Sequence, residues 1–321
     1  MSLNEVYRSI GMTKQGFHQM LNRQIRYNEE MVYVKELLRQ IRQDHPTMSC
    51  RAMYYKINPA TIGRDKFERM CREWGFTVEA RVNYCRTTDS TGVVKFDNLI
   101  KDLDINRMNQ VWSSDITYYE VGGIFYYLTF ILDNYTRKII GHNVSGRLMT
   151  EQTSLPAMKK AIRNAGTEEV MRSGIIFHSD GGGQYYDKEF LRLTQAHNFK
   201  NSMCEYAYEN GKAERINGVI KNNYLVFKKI ETLEQLIKEV DRIVKLYNNE
   251  KPHKSLLYKT PTQFEKECIT LQKQTRAMTK ESIDEKEQDL GASSPFNPEQ
   301  TRTQTQDVIS KKEQKFAFLI E

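Results

Sequence analysis

The sequence predicts an α/β domain with a mixed sheet, preceded by an all-α region with a helix-turn-helix outline. Three observations carry this. From Val111 the apolar period changes from helical to strand-like, with three consecutive runs rich in Ile, Val, Thr, Tyr and Phe. Next comes the order helix, short apolar strand, helix, strand, helices, which suits helices packed on a sheet. Residues 1–80, by contrast, show only helical spacing interrupted by turn residues.

In the N-terminal region, Leu3–Ile10 reads as a short helix broken at Gly11, and Thr13 is positioned to cap a second helix running to about Leu21. A longer amphipathic helix is expected over Glu29–Asp44, with Val32, Leu37, Leu38 and Ile41 at apolar spacing and His45-Pro46 as its stop. Ser49–Ile57 and Arg64–Trp74 form a further helical pair ending at Gly75. The last of these helices carries Arg64, Lys66, Arg69 and Arg72, candidates for contact with a polyanion, although such charges usually mark a solvated face. Residues 81–110 read as an extended linker.

The expected strands are Val111–Val121, Ile124–Asn134 and Lys138–Ser145, turned at Gly122-Gly123 and at Tyr135-Thr136-Arg137. A helix over Ser154–Asn164, a buried strand over Ser173–Ser179, a helix over Lys188–His197 and a strand over Phe199–Cys204 follow. Helices over Gly211–Asn223 and Thr232–Asn248 complete a core of residues 111–267. Residues 268–321 are polar and poor in apolar positions, so they are expected to be disordered, except for a short apolar end at Lys315–Ile320.

Composition excludes several classes. With 39% apolar residues the chain can bury a sizeable core, and no apolar run approaches a membrane span. The N-terminus lacks a basic-then-apolar leader pattern, and the five cysteines lie far apart with no CxxC pair. The expectation is a cytoplasmic protein without membrane contact. Of the net charge of +7, residues 1–110 carry +5, residues 111–267 carry +3 and residues 268–321 carry −1. That is a mild bias toward a polyanionic partner, within the range of ordinary surface charge.

Three acids stand out. Asp115 lies in the middle of a strand pattern, where Asp is depleted and a buried carboxylate needs a partner. Asp180 follows the apolar strand Ile175-Ile176-Phe177 and precedes Gly181-Gly182-Gly183, at the strand end where α/β sheets collect ligands. Glu214 shares a helix face with Asn210, Asn217, Gly218 and Lys221, a face unsuited to an apolar core. Singly, each acid has a bland reading: a solvent-facing Asp, a flexible turn, a solvated helix face. In combination, an acid on the first strand, one after the fourth and one on the following helix can converge. Convergent carboxylates repel unless hard cations such as Mg²⁺ or Mn²⁺ neutralise them.

The sequence resembles the integrase-type transposases of bacterial insertion sequences, the insertion-sequence-three group. The resemblance rests on four stretches: Gln110–Tyr118, His178-Ser179-Asp180 with its glycines and Gln184-Tyr185, Glu209–Lys221, and Tyr247–Leu256 followed by Thr260-Pro261. It covers residues 1 to about 267 and implies a ribonuclease-H-like mixed-sheet catalytic core. It also implies that Asp115, Asp180 and Glu214 are the catalytic, metal-binding triad of a DDE-type transposase holding two Mg²⁺ or Mn²⁺ ions. Lys221, Arg215 and Asn210 would meet DNA, with Arg64, Lys66, Arg69 and Arg72 as further candidates in the helical region. The partners implied are double-stranded DNA, both element ends and target, and further copies of the chain assembled on it. The setting implied is the bacterial cytosol, beside the nucleoid. The 33 residues between Asp180 and Glu214 are slightly fewer than the family spacing, and no zinc-binding His/Cys pattern is present. The alternatives are a metal-dependent nuclease of the same fold without strand transfer and a non-catalytic DNA-binding descendant. The terminal-repeat sequence and target preference are not encoded in any of these motifs.

Overall fold

The computed structural model describes residues 3–78, 96–204 and 207–290. The chain divides into two compact units, Met1–Asn83 and Tyr84–Glu321. In the first, α1 (Leu3–Ser9) is followed by α2 (Lys14–Asp44), α3 (Cys50–Ile57) and α4 (Arg64–Glu73). The expected cap is present: Thr13 Oγ1 accepts the Gly16 amide at 3.0 Å. The break expected after Leu21 is absent, and α2 runs unbroken for 31 residues. No Pro or Gly lies between Leu21 and Glu29, so nothing in that stretch offers the backbone an alternative to the helix. Its first half packs Phe17 on Tyr7 of α1, and its second half enters the core of this unit. Met31, Val34, Leu38 and Ile41 pack on Met53, Phe67, Met70 and Cys71 of the last two helices, each buried side chain contributing about 1.5–3 kcal/mol. The Arg42 guanidinium closes this unit by donating to the carbonyls of Pro46, Met48 and Phe76 at 2.7, 3.0 and 2.6 Å.

The second unit is built on a five-stranded sheet: β1 (Val111–Val121), β2 (Ile124–Asp133), β3 (Ile139–Ser145), β4 (Ile176–Ser179) and β5 (Lys200–Met203). The spatial order is β3-β2-β1-β4-β5. β1 to β3 form an antiparallel meander, while β4 and β5 run parallel to β1. This mixed order is the ribonuclease-H-like arrangement. Helices α5 (Ser154–Ala165), α6 (Thr167–Ser173) and α7 (Lys188–Ala196) belong to the crossover segments, and α8 (Gly211–Asn223), α9 (Leu233–Glu250) and α10 (Pro261–Leu290) follow the last strand.

Strand alternation assigns each face its layer. Trp112, Ile131, Ile140 and Phe177 pack with Ala157, Met158, Ala161 and Phe190 of α5 and α7. Leu128, Phe130, Leu132 and Ile139 face the other way, against Ile216 and Ile220 of α8 and Val240, Ile243 and Tyr247 of α9. Helix α5 lies so close to β3 that a Cβ on Gly141 would sit 2.3 Å from the Ala157 carbonyl.

Three expectations change. Residues 167–173, of which only Ser173 was assigned, to the start of a strand, form α6, and that strand begins at Ile176. Residues 268–290, expected to be disordered, continue α10 to Leu290; Gln, Lys, Glu and Ala are good helix formers even where few apolar groups anchor them. Within the supposed linker, the part from Phe96 onward is docked on the sheet edge: the Leu99 amide donates to Ser202 Oγ at 2.9 Å and Phe96 packs on Tyr186. The rest of the linker, residues 81–95, and the terminal segment Lys315–Ile320 lie outside the described residues.

Candidate active site

Strand register brings the first two acids together. Ser114 pairs with Ser179 in the parallel β1–β4 ladder, so Asp115 and Asp180 are the next residues on each strand. Neighbouring strands are about 4.8 Å apart, and paired positions face the same side. Asp115 also pairs with Phe130 of β2, whose ring belongs to the layer facing α8. The strand therefore aims Asp115 at α8, where Asn217 Nδ2 donates to its Oδ2 at 2.8 Å.

Asp180 begins a tight turn. Its Oδ1 accepts the Gly182 amide at 3.2 Å, and Tyr186 donates its hydroxyl to the Asp180 carbonyl at 3.1 Å. Space is limited beside two of the three glycines, where a Cβ at Gly181 would meet the mobile end of Met203 at 2.9 Å and one at Gly182 would meet Asp180 Oδ1 at 3.1 Å, while Gly183 faces open space.

Helix α8 runs along β1 and is tied to it at three levels. Asn210 Nδ2 donates to the Ser114 carbonyl at 2.9 Å, Asn217 to Asp115, and Lys221 Nζ to Thr117 Oγ1 at 2.7 Å. The polar face read from the sequence is thus turned toward a strand, which explains why it is polar. Glu214 lies on that face one turn from Asn210 and from Asn217, in the first turn of α8, where the helix dipole favours a carboxylate. Its side chain is exposed.

The electrostatics report the proximity of the three acids. The Asp115 carboxyl is pushed up to about 7 by burial first and then by the charges of Asp180 and Glu214, against the hydrogen bond from Asn217. Asp180 is also raised, chiefly by burial. The Tyr185 hydroxyl, in contact with Ser114 Oγ at 2.9 Å, is buried and raised as well, with both aspartates contributing.

Among the described residues no three His, Cys, Asp or Glu side chains are drawn into a ready metal cage. The reason is visible in the contacts: Asp115 is held by Asn217 and Asp180 by its own turn, and like charges do not close on one another unaided. The donor set nonetheless fits a hard cation. It offers only carboxylate oxygens, and two buried amide oxygens on the same helix face, Asn210 Oδ1 and Asn217 Oδ1, have no hydrogen-bond partner.

The other expected contacts distribute unevenly. Arg215 is exposed beside Glu214. Asn210 is 3% exposed with its amide committed to β1, so the expectation that it meets DNA is corrected: its site is inside the fold. Arg64, Lys66, Arg69 and Arg72 all lie on the exposed side of α4, away from Phe67, Met70 and Cys71. Of these, Arg64 donates to Asp65 at 2.9 Å and Lys66 sits over the Tyr27 ring at 4.2 Å.

Sequence reading overlooked Asp133, Arg137, Lys251 and His253. Asp133 closes the β2–β3 turn, accepting from the amides of Asn109 and Tyr135 and from Thr136 Oγ1 at 3.3, 3.0 and 3.0 Å. An Asp followed by Asn, Tyr and Thr at a strand end is itself a turn signal. The three basic residues are joined only by tertiary structure.

Models of the integrase core domain match residues 105–208 and 198–261. An uncharacterized 31 kDa protein of insertion element IS600 from Shigella sonnei is 26% identical over 212 residues, 64% of this chain and 76% of that one. Transposase InsF for insertion sequence IS3A from Escherichia coli (strain K12) is 28% identical over 171 residues, 52% of this chain and 56% of its own length. The match thus spans little more than half of the E. coli protein. The HTLV-2 integrase catalytic core domain in complex with magnesium (trimeric form) aligns with 49% of this chain and 97% of its own, at 20% identity and a TM-score of 0.40.

Proposed function

We propose that this chain, which belongs to the insertion-sequence transposases built on an integrase core domain, nicks DNA at the ends of a mobile element and joins the freed ends to a second strand. The observation that carries the reading is the β1–β4 register that sets Asp115 beside Asp180, with Glu214 on the α8 face that Asn217 ties to Asp115. A buried carboxylate beside two others is a poor structural element and a good cation ligand.

Asp115, Asp180 and Glu214 would hold two divalent cations, Mg²⁺ or Mn²⁺. When bound, such ions activate the attacking oxygen and neutralise charge at the scissile phosphate. Asn217 positions Asp115 through its amide, and the Ser114–Tyr185 contact buttresses the strand on the opposite face. In the first step a water oxygen bonds to phosphorus while the bond to the 3′ oxygen breaks, leaving a 3′-hydroxyl and a 5′-phosphate. In the second, that hydroxyl attacks another phosphodiester; one P–O bond forms as one breaks, so no external energy source and no protein–DNA covalent bond is required. Lys221 and Arg215 would contact flanking phosphates, and paired ends imply more than one copy of the chain at work. Among the described residues no helix is long and apolar enough to cross a membrane.

The test is cleavage of end-containing duplex by purified protein with and without Mg²⁺. Nicking with release of a 3′-hydroxyl, followed by joining, is expected. Nicking without joining under all conditions would favour the nuclease reading, and the absence of both activities would contradict the proposal.

A further inference from the structure

The segment Tyr247–Leu256 bears no part of the acid site, yet it builds a second charged cluster of opposite sign. Lys251 and His253 follow the end of α9. Lys251 Nζ lies 5.9 Å from the Tyr224 ring centroid and 5.8 Å from that of Tyr247, both rings buried. The His253 ring packs edge-on against Tyr247 at 4.8 Å. Its Nε2 is buried without a hydrogen-bond partner, while its backbone is pinned by a bridge to Lys259. Arg137 reaches the same place from the β2–β3 turn, at a positive φ of 61°. Arg215, exposed and next to Glu214 on α8, is a third cation that acts on the His253 ring.

These groups feel one another as cations. Burial holds Lys251 down to about 8, with Arg215 adding to the effect. His253 is held down to about 3 by burial and then by Lys251, Arg137 and Arg215, so its ring is neutral. The carboxylate that acts on Arg137 is Asp133, whose oxygens already accept three hydrogen bonds. Bringing the half-buried Arg137 and Lys251 to the same place as an unsatisfied imidazole nitrogen, with the exposed Arg215 beside them, is costly unless an anion completes the set. Arg, Lys and a neutral N–H donor together suit a phosphate.

We infer that Arg137, Arg215, Lys251 and His253 form a seat for a backbone phosphodiester of the DNA strand that passes over the first turn of α8. The inference rests on the proposed function for the identity of the strand. Arg215 and Glu214 are consecutive on α8, so the seat borders the acid site and would hold a phosphate flanking the one cut. Tyr224 and Tyr247 keep Lys251 extended toward it.

The experiment uses the full chain without metal, so that binding is separated from cleavage. Lys251→Met retains the stem across the two tyrosine rings, and Arg137→Gln retains length. Duplex affinity is measured against salt for the wild type, each variant and Asp180→Asn, and melting temperature is measured with and without millimolar inorganic phosphate. Each seat variant is expected to bind duplex about tenfold more weakly. Its salt slope should fall by about one unit, with a melting temperature equal to or above that of the wild type. Asp180→Asn should keep the wild-type slope. A lowered melting temperature with unchanged slope would make the cluster a packing device and overturn the inference. Stabilisation by inorganic phosphate with an unchanged slope would overturn its assignment to DNA. A wild type that shows the slope difference yet never nicks DNA in Mg²⁺ would sink the transposase reading and leave the seat standing.

Discussion

Asp115 and Asp133 lie on two paired strands of one hairpin, the first half-buried and the second buried, and burial raises both: Asp115 to about 7 and Asp133 to about 6. Their neighbours differ. Asp133 accepts three hydrogen bonds from Asn109, Tyr135 and Thr136 and closes a turn. Asp115 has two amide donors, the Asn217 side chain and the Ile116 backbone, and two other carboxylates acting on it. A raised carboxyl alone therefore does not mark a site. What separates the scaffold acid from the candidate ligand is whether the surroundings already satisfy its charge.

Substitutions that keep shape and remove charge should split the two. Asp115→Asn, Asp180→Asn and Glu214→Gln should each lower nicking by at least about 10³-fold, the loss of several kcal/mol of transition-state charge stabilisation. Gel assays of nicked product would read this, and near-normal nicking by any one of them would remove that residue from the site. Asp133→Asn should instead act on stability. It turns one acceptor oxygen into a donor facing donors and should cost about 1–3 kcal/mol in denaturant unfolding.

Asp115→Asn should have the opposite sign in the metal-free protein. A carboxyl raised above its ordinary 3.8 favours the folded state while protonated, and that contribution is lost as pH rises through about 7. The variant should therefore be more stable than the wild type at pH 8, by about 1–2 kcal/mol after discounting for partial solvation, and nearly equal to it at pH 4. Equal stabilities at both pH values would return Asp115 to the scaffold class. The smallest effect belongs to Lys221→Ala. Loss of the Thr117 contact should cost less than about 1 kcal/mol, while the salt slope of DNA binding should fall by about one unit.

Legibility in the sequence followed the range of the forces involved. β1 and α8 were readable to the residue because a β-branched and aromatic run closed by Gly122-Gly123 and the polar face of α8 are local patterns. The continuity of α2 was missed because polar residues between Leu21 and Glu29 looked like a break, although none of them ends a helix. The α10 extension was missed because polarity was taken for disorder. Asp115, Asp180 and Glu214 stood out through their motifs, but why they share a field depends on the Ser114–Ser179 register, which no local pattern contains. Asn210 was placed on the right face and given the wrong partner, since only the packed structure shows that this face meets β1. Arg137 and Lys251, more than a hundred residues apart, had no shared signal at all.

The central claim is that Asp115, Asp180 and Glu214 act as one cation-binding group. Its most direct test is the melting temperature of the metal-free chain at pH 8 during titration with Mg²⁺, compared among the wild type, the three isosteric variants and Lys221→Ala. The wild type and Lys221→Ala should be stabilised in a saturable way, and Asp115→Asn, Asp180→Asn and Glu214→Gln should each lose most of that response. A response to Mg²⁺ in Asp180→Asn or Glu214→Gln as large as in the wild type would contradict it.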